Sequence, residues 1–380
     1  MSSVSIPKKA IFKIILAWLV VVVFMIGGRD WLSPTMSVLV AGTCFAALFA
    51  TILMAAFGVV GEADELAHSL GEPYGTLILT LSIVSIEVIL IAAVMMGPSD
   101  APTIGRDSIF AVMMIILNLV TGICLIVGGL RYGEQEYNAQ GAVAFISMTV
   151  VLVGTALLLP NTLSTGNGTF WPSQAIALSI FTVLLYGAFL VLQMGRYRRY
   201  FVQPEKGALS IPLSQPVGEV EDGGEGKSGR AQNVVHAVLL VALMVPIVLL
   251  AHDLAIVIDY GVAKVGAPVA VGGVLIAIIV FTPESITAVK AAFNNETQRA
   301  INLCLGAFVS TVGLTVPAVL MVGLMASKTV ILGISSTETV LLVLTLALTL
   351  MTYLGQRASA IQGFMHLTLF GVFTLLLFTN

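Results

Sequence analysis

Two glutamates stand in segments of this sequence that are otherwise apolar enough to cross a membrane. Glu87 follows "GTLILTLSIVSI" and Glu284 follows "GGVLIAIIVFTP", and neither run holds another charged residue. Burying an ionisable side chain at the bilayer centre costs on the order of 3 kcal/mol on insertion scales, and such residues usually face a cavity, a partner or a transport path. Two carboxylates in one low-dielectric site must be protonated or share a cation. Two protons or one divalent ion therefore neutralise such a pair equally well.

The two glutamate segments also match each other. Setting Gly75 against Gly272 places "GTLILTLSIVSIEVILI" over "GGVLIAIIVFTPESITA" and pairs Glu87 with Glu284, with three identities in seventeen positions. In the next apolar segment, "GRDSIFAVMMIILN" lies over "QRAINLCLGAFVST". The match is faint, but it predicts an internal repeat in which the two glutamates hold equivalent places.

Further oxygen ligands are expected near the glutamates, because Ca²⁺ takes about six to eight oxygens and two carboxylates supply at most about four. Pro283 has no N–H to donate, so it is expected to break the helix and to free a backbone carbonyl for the ion. The candidate ion and proton ligands are Glu87, Glu284, Ser85, Thr282, Asn118, Thr311 and the carbonyl of Ile279.

Each of these polar residues has a simpler alternative role. A glutamate held neutral by a hydrogen bond would only join two helices, and Asn118, Ser85 and Thr311 suit ordinary hydrogen bonds between helices equally well. Other polar residues near or within the apolar runs have no counterpart in the repeat and are interpreted as interfacial or packing residues. These are His366, His252 and Asp253.

The composition is that of an integral membrane protein. The 380 residues are 58% hydrophobic and 10% charged, and the mean hydropathy is +1.04. The net charge of −3 gives no basic surplus for binding nucleic acid. Runs of about 20 apolar residues are long enough to cross a bilayer, and eleven are found near 11–27, 36–60, 76–96, 109–130, 141–160, 174–194, 234–258, 269–292, 300–325, 338–354 and 361–378. The sequence predicts an all-α membrane protein with eleven transmembrane helices.

The basic residues predict the orientation of these helices, because Lys and Arg accumulate on the cytoplasmic side. With the N-terminus in the cytoplasm, 13 of the 17 basic residues fall on the inner side. The other four fall on the outer side, and these are Arg29, Arg106, Lys264 and Lys328.

One long connection divides the chain. Residues 195–233 are rich in Pro, Gly and Ser and lack apolar periodicity, which is typical of a cytoplasmic linker. Its "GEGKS" lacks the glycine of a phosphate loop, since that position is Glu221. The acidic stretch 218–225 suits either cation sensing or, more simply, solubility. The predicted divisions are an N-terminal helix at 1–30, a first five-helix repeat at 31–194, the linker at 195–233 and a second five-helix repeat at 234–380.

Five is an odd number, so two successive five-helix units insert in opposite orientations, as in many secondary transporters. A pseudo-twofold axis is then expected to bring Glu87 and Glu284 to one central site. A second acidic stretch, "GEADELAHSLGEP", precedes the Glu87 run on the predicted cytoplasmic side. It is interpreted as a solvated connector or, alternatively, as a region that concentrates cations at an entrance.

Three stretches resemble one family, and these are "LGEPYGTLILTLSIVSIEV", "GAPVAVGGVLIAIIVFTPESITAVKAAF" and "QRAINLCLGAFVSTVGLTVPAVL". They are similar to the ChaA-type branch of the calcium/cation antiporter superfamily. The resemblance implies proton-coupled export of Ca²⁺, or of Na⁺ and sometimes K⁺, across a bacterial inner membrane, with Glu87 and Glu284 on the helices that carry the ion. The sequence departs from the family pattern at Ile86, where many relatives have proline. The two halves of the site are therefore expected to be unequal.

The expected function is secondary cation/proton antiport by alternating access, with Ca²⁺ as the first cargo and Na⁺ or K⁺ as the others. No cofactor is expected, and the partners are membrane lipid, inorganic cations and protons. A cation channel that uses the same glutamates is the alternative, although an internal inverted repeat disfavours it. An intramembrane enzyme is disfavoured because the sequence holds no HExxH or comparable cluster.

Overall fold

The apolar runs form helices in a computed structural model, which describes residues 8–33, 35–70, 74–97, 101–164, 167–204 and 230–379. Within these ranges, eleven helices are long and apolar enough to cross a membrane. This confirms the predicted all-α, eleven-helix fold. The acidic stretch 218–225 lies outside the described residues.

The helices, in chain order, are α1 (Lys8–Trp31), α2 (Val38–Leu70), α3 (Tyr74–Met95), α4 (Ile104–Met114), α5 (Thr121–Tyr132), α6 (Ala139–Val153), α7 (Pro172–Met194), α8 (Arg230–Val265), α9 (Ala270–Phe293), α10 (Thr297–Met325), α11 (Ser336–Leu354) and α12 (Ala360–Thr379). A π-helical segment, Ile115–Val120, joins α4 to α5, so that these three elements form one span. A second π-helical segment, Gly154–Leu158, and a 3₁₀ turn, Leu159–Thr162, extend α6, and another 3₁₀ turn follows α7 at Arg198–Phe201. Two short strands, β1 (Gln135–Glu136) and β2 (Arg357–Ala358), pair antiparallel.

The chain divides into two compact units that do not follow the predicted repeats. One unit comprises residues 1–93 and 210–261, and the other comprises residues 94–209 and 262–380. Each unit therefore takes helices from both halves of the sequence. A sequence repeat records equivalent positions, whereas a compact unit records which helices pack together, so the five-helix repeats stay a prediction.

In the unit of residues 1–93 and 210–261, α8 packs closely on α2. A Cβ on Gly58 would lie 2.7 Å from the Cδ1 atom of Leu243, so the Leu243 side chain lies directly over this glycine. The Trp18 indole donates to the carbonyl of Ala242 at 3.0 Å and ties α1 to α8 as well. The Tyr260 hydroxyl donates to the carbonyl of Met36 at 2.8 Å near the start of α2.

In the unit of residues 94–209 and 262–380, two pairs of helices cross at backbone contact. A Cβ on Gly273 of α9 would lie 2.6 Å from the backbone nitrogen of Ser108, so α4 crosses α9 at this glycine. Gly122 of α5 and Gly363 of α12 face each other, and a Cβ on either would meet the carbonyl oxygen of the other at 2.9 or 2.7 Å. Small residues of this kind let transmembrane helices approach to backbone contact.

The helix that carries Asn118 and the helix that carries Thr311 pack on different partners. The span built from α4, the π-helical segment and α5 packs on α12 and touches α11. Helix α10, its predicted equivalent, packs instead on α7 and α6. In the predicted repeats, α6 and α7 hold the places that α11 and α12 hold in the other half.

Loops predicted to lie on the cytoplasmic side are bonded to one another. The backbone N–H of Asn138 donates to Gln298 Oε1 at 2.7 Å, and the N–H of Gln298 donates to Gln203 Oε1 at 2.7 Å. Arg357 of β2 pairs with Glu136 of β1 at 2.9 Å. These contacts bring together the loops that follow α5, α7, α9 and α11.

Loops predicted to lie on the outer side form a second bonded group. Ile331 N–H donates to the carbonyl of Pro102 at 2.9 Å, and Leu332 N–H donates to the carbonyl of Gly168 at 2.9 Å. The Arg106 guanidinium donates to the carbonyl of Gly333 at 3.0 Å. The alternation of loops between two faces therefore agrees with the predicted order of spans in this unit.

Tyr137 anchors the loop that contains β1. Its hydroxyl donates to the carbonyls of Thr352 at 2.9 Å and Gly355 at 2.6 Å. Burial raises the pKa of the Tyr137 hydroxyl, because the phenolate would be desolvated. The hydroxyl therefore keeps the proton that both hydrogen bonds require.

Candidate functional site

Glu284 lies deep in α9, 14 residues after Ala270 and 9 before Phe293. Its side chain is half-buried and lines a cleft together with Ser285. Other walls of the cleft come from the π-helical segment and from α10, with Ile116, Val120, Leu303, Cys304 and Ala307. The cleft volume is about 10 Å³, which is near the minimum for a single water-sized guest. A cation would have to shed most of its hydration shell to lie beside this carboxylate.

Pro283 does not break the helix, which corrects the sequence expectation. Helix α9 continues without interruption from Ala270 to Phe293, with Pro283 inside it. Proline removes one backbone hydrogen bond and leaves the others, and neighbouring side chains support this turn. The hydroxyl groups of Thr282, Ser285 and Thr287 donate to the carbonyls four residues earlier in α9. The effect of Pro283 is thus a missing donor opposite the carbonyl of Ile279, without unwinding.

Glu87 lies at a similar depth in α3, 13 residues after Tyr74 and 8 before Met95. Its side chain is fully buried, with 0% exposed, and its neighbour Ile86 is 1% exposed. Ser85, the hydroxyl predicted to assist it, is half-buried on the same helix. Helix α3 is regular throughout.

Asn118 is buried in the π-helical segment and bonded on both sides of its amide. The Nδ2 group donates to Thr345 Oγ1 of α11 at 3.0 Å and lies 3.6 Å from Met114 Sδ. The Oδ1 atom accepts from His366 Nδ1 of α12 at 3.3 Å. A carbonyl oxygen has two lone pairs, so one acceptor position of Asn118 remains for another donor or a cation.

Thr311, the predicted counterpart of Asn118, has a different environment. It is 0% exposed in α10. No hydrogen-bond partner reaches Thr311 Oγ1 among the residues that the structure describes. A buried hydroxyl without a partner is unfavourable by about 1–3 kcal/mol, and such groups mark places where a missing water or ion is expected.

His366 was interpreted as an interfacial or packing residue, and the structure places it in the packed interior. It is 0% exposed and hydrogen-bonds to Asn118 and to Thr352 of α11. The bond to Asn118 was not predicted, because His366 has no partner in the repeat alignment. The available signal was an imidazole inside an apolar run, near 361–378.

The acidic stretch before α3 is largely part of a helix. Helix α2 continues to Leu70, and within it Glu62 is buried and pairs with His236 Nδ1 at 2.7 Å. Asp64 and Glu65 are exposed, and Glu72 lies outside the described residues. The expectation of a solvated amphipathic connector fits the exposed Asp64 and Glu65 and does not hold for Glu62, whose carboxylate is buried against His236.

No group of three or more His, Cys, Asp or Glu side chains that could hold a metal ion is found in the described part of the chain. Within the described residues, the helices that carry the two glutamates also hold hydroxyl groups and backbone carbonyl oxygens. Hydroxyl and carbonyl oxygens of this kind suit Ca²⁺ and other hard cations.

The sequence as a whole matches known transporters. The family described as "sodium/calcium exchanger protein" matches residues 13–195 and 235–379. The sodium-potassium/proton antiporter ChaA of Escherichia coli (strain K12) is 31% identical over 358 residues, which cover 94% of this chain and 93% of the relative. The putative ionic transporter y4hA of Sinorhizobium fredii (strain NBRC 101917 / NGR234) is 34% identical over 324 residues, which cover 85% of each chain.

A solved structure shares the fold. The structure of native YfkE superposes with a TM-score of 0.71 at 19% identity, covering 97% of this chain and 100% of that chain. At this identity the likeness concerns the fold alone.

Proposed function

This chain belongs to the sodium/calcium exchanger protein family, and we propose that it exchanges a cation for protons across a bacterial inner membrane by alternating access. It is a multi-pass secondary transporter and not an enzyme. The observation that carries the proposal is the Glu284 carboxylate in a cleft large enough for one small guest. Its sequence counterpart Glu87 lies at nearly the same depth in its own helix.

In this mechanism Glu87 and Glu284 bind the cation after releasing protons, and rebind protons after the cation has left. A carboxylate in a low-dielectric site is stable only when it is protonated or paired. The protein therefore has no stable empty, doubly ionised form, and the movement of each cargo depends on the other. This dependence is what couples the two fluxes.

The proposed ligands divide into charged and neutral oxygens. The two glutamates supply the charge, and hydroxyl groups of Ser85, Thr282 and Thr311 supply neutral oxygens. The carbonyl of Ile279 is included because Pro283 cannot donate to it. Asn118 contributes through the one lone pair that His366 leaves open.

Ca²⁺ is the first proposed cation, since two carboxylates match its charge and hydroxyl and carbonyl oxygens match its preferences. Na⁺ or K⁺ is the second candidate. The printed name of the E. coli relative, a sodium-potassium/proton antiporter, favours it. One Na⁺ with one proton would satisfy the same two carboxylates.

Purified protein in vesicles with an imposed pH gradient tests both the exchange and the ion. Internal pH is followed with a trapped dye while Ca²⁺, Na⁺ or K⁺ is added alone, and protein-free vesicles give the leak. We expect proton movement that saturates with the cation and reverses when the gradient is reversed. If none of the three cations moves protons above the leak, the proposed function is wrong.

We propose further that the N-terminus is cytoplasmic, as the 13 to 4 distribution of basic residues predicts. Single cysteines test this well, because Cys44, Cys124 and Cys304 are all buried. In spheroplasts, a membrane-impermeant maleimide should label Thr329→Cys and should label Glu134→Cys only after lysis. Both positions are exposed. The reverse labelling pattern would show that the N-terminus lies outside the cytoplasm.

A further inference from the structure

The imidazole of His366 connects three helices through buried hydrogen bonds. Its Nδ1 lies 3.3 Å from Asn118 Oδ1, and its Nε2 lies 3.0 Å from Thr352 Oγ1. On the far side of the amide, Asn118 donates to Thr345, whose hydroxyl lies 3.6 Å from Met114 Sδ. His366, Thr345 and Asn118 are each 0% exposed and Thr352 is 1% exposed. Every member of the chain is thus shielded from water.

The chemistry of the acceptors fixes the direction of these bonds. Asn118 Oδ1 is a carbonyl oxygen and can only accept, so His366 Nδ1 carries the hydrogen. In a neutral ring Nε2 then accepts, and Thr352 donates to it. The Asn118 amide is held by a donor on its oxygen side and an acceptor on its nitrogen side. Its rotation is therefore blocked from both sides.

Asn118, which the imidazole holds, lies in an irregular stretch of backbone. The π-helical segment Ile115–Val120 shifts the backbone hydrogen bonds by one residue, and such segments occur frequently at functional sites. One side chain bonds a carbonyl of this segment: Thr121 Oγ1 donates to Ile116 at 2.9 Å. His366 holds the Asn118 side chain, which belongs to the same segment.

The π-helical segment is also a wall of the Glu284 cleft. Ile116 and Val120 line the cleft beside Glu284, while Asn118, between them in sequence, bonds to α11 and α12. The close crossing of Gly122 and Gly363 fixes α12 against this span. His366 lies one helical turn beyond Gly363, so the ring has little freedom to move away.

We propose that His366 is a positioning residue for cation binding: it holds Asn118, and through Asn118 it sets the π-helical segment that forms a wall of the Glu284 cleft. The inference rests on the proposed function. Partners that orient the ligands of a metal typically change its affinity by about 10–100-fold when they are removed. The other half of the candidate site has no equivalent device, since no partner reaches Thr311 Oγ1 among the described residues. His366 would therefore act on one side of the site only.

The test compares three variants for cation-driven proton flux in vesicles. His366→Leu removes the donor, and we expect the half-saturating cation concentration to rise by about tenfold while the maximal rate changes less. His366→Asn places an amide N–H near the position of Nδ1, and it should restore affinity to within about threefold. His366→Gln places its amide near Nε2, toward Thr352, and should restore less. Thermal unfolding of each variant in detergent shows whether a change in affinity accompanies a change in folding.

A double variant separates positioning from general packing. Because His366 acts through Asn118, Asn118→Ala combined with His366→Leu should bind the cation no more weakly than Asn118→Ala alone. The inference is overturned if the two substitutions multiply their effects on cation affinity. It is also overturned if His366→Leu binds the cation as tightly as the native protein does. Glu284→Gln is measured in parallel. If Glu284→Gln still exchanges, the proposed function fails, whereas loss in Glu284→Gln with an unchanged His366→Leu rejects only the role of His366.

Discussion

Helices α3 and α9 carry the same residue at nearly the same depth, but they present it differently. Glu87 in α3 is fully buried, with Ile86 before it. Glu284 in α9 is half-buried at a cleft, with Pro283 before it. Equivalence in a faint sequence repeat therefore does not give equivalent environments. The residue before the glutamate differs between the two helices, and so do the partners of the neighbouring helix.

Exchanging the residues before the glutamates gives the largest expected change in stability. Ile86→Pro would remove a backbone hydrogen bond from the regular helix α3 and is expected to cost about 3 kcal/mol or more in unfolding free energy. Pro283→Ile should not destabilise α9, since it restores a donor for Ile279. It should weaken the apparent cation affinity by about 2–10-fold, the value of one hydrogen bond. Thermal unfolding and saturation of flux measure these changes, and an unchanged affinity in Pro283→Ile would show that the proline has no part in binding.

A second difference between the helices lies at the crossing of α9 with α4. The repeat alignment sets Gly273 opposite Thr76, and a Cβ at Gly273 would lie 2.6 Å from the backbone of Ser108. Gly273→Thr is expected to lower stability by about 1–3 kcal/mol through overpacking. Gly371→Thr is the control, because a Cβ there meets nothing within 4 Å. Equal melting temperatures of the two variants would show that the close crossing does not exist.

Thr311→Val is expected to raise the stability of the protein and to weaken its cation affinity. The Thr311 hydroxyl has no hydrogen-bond partner among the described residues, so Thr311→Val should raise the unfolding free energy by up to about 1 kcal/mol. Cation affinity should fall by about 2–10-fold if the hydroxyl is a ligand. Thr345→Val is the matched control, since it breaks the bond to Asn118 and should cost about 1 kcal/mol or more. Destabilisation by Thr311→Val would mean that the hydroxyl is satisfied within the protein.

The smallest effect compares one serine on each helix. Ser285 of α9 and Ser82 of α3 both donate to the carbonyl four residues earlier at 2.7 Å. Replacing either by Ala should change the unfolding free energy by no more than about 1 kcal/mol. Ser285 also lines the Glu284 cleft, so Ser285→Ala should alter the half-saturating cation concentration by about twofold, while Ser82→Ala should not. Equal half-saturating cation concentrations in both variants would show that the Glu284 cleft does not lie on the path of the cation.

The sequence was sufficient for the features that local physics determines. Runs of about 20 apolar residues have to satisfy their backbone groups internally, so the eleven helices followed from hydropathy alone. The depth of Glu87 and Glu284 followed from their distance along those runs. The faint repeat also pointed to Asn118, whose amide lies in the only π-helical segment among the described residues that borders the Glu284 cleft.

Features that depend on tertiary partners were not predictable in this way. The π-helical segment holds Asn118, whose amide bonds to Thr345 of α11 and His366 of α12, and no period in the sequence encodes these contacts. Helix α2 continues beyond its apolar run, where Glu62 pairs with His236 of α8. The helix through Pro283 stays intact because only one hydrogen bond is lost. For the π-helical segment and for α2, a contact distant in sequence overrides a local rule.

The most direct test of the central claim is exchange by Glu87→Gln and by Glu284→Gln, each reconstituted in vesicles with an imposed pH gradient. Glutamine keeps the size of the side chain but can neither release a proton nor neutralise a cation. If both carboxylates carry the cargo, cation-driven proton flux should fall to the level of protein-free vesicles in each variant, with Ca²⁺, Na⁺ and K⁺ tested separately. Exchange that survives in either variant would contradict the claim that the two glutamates act together.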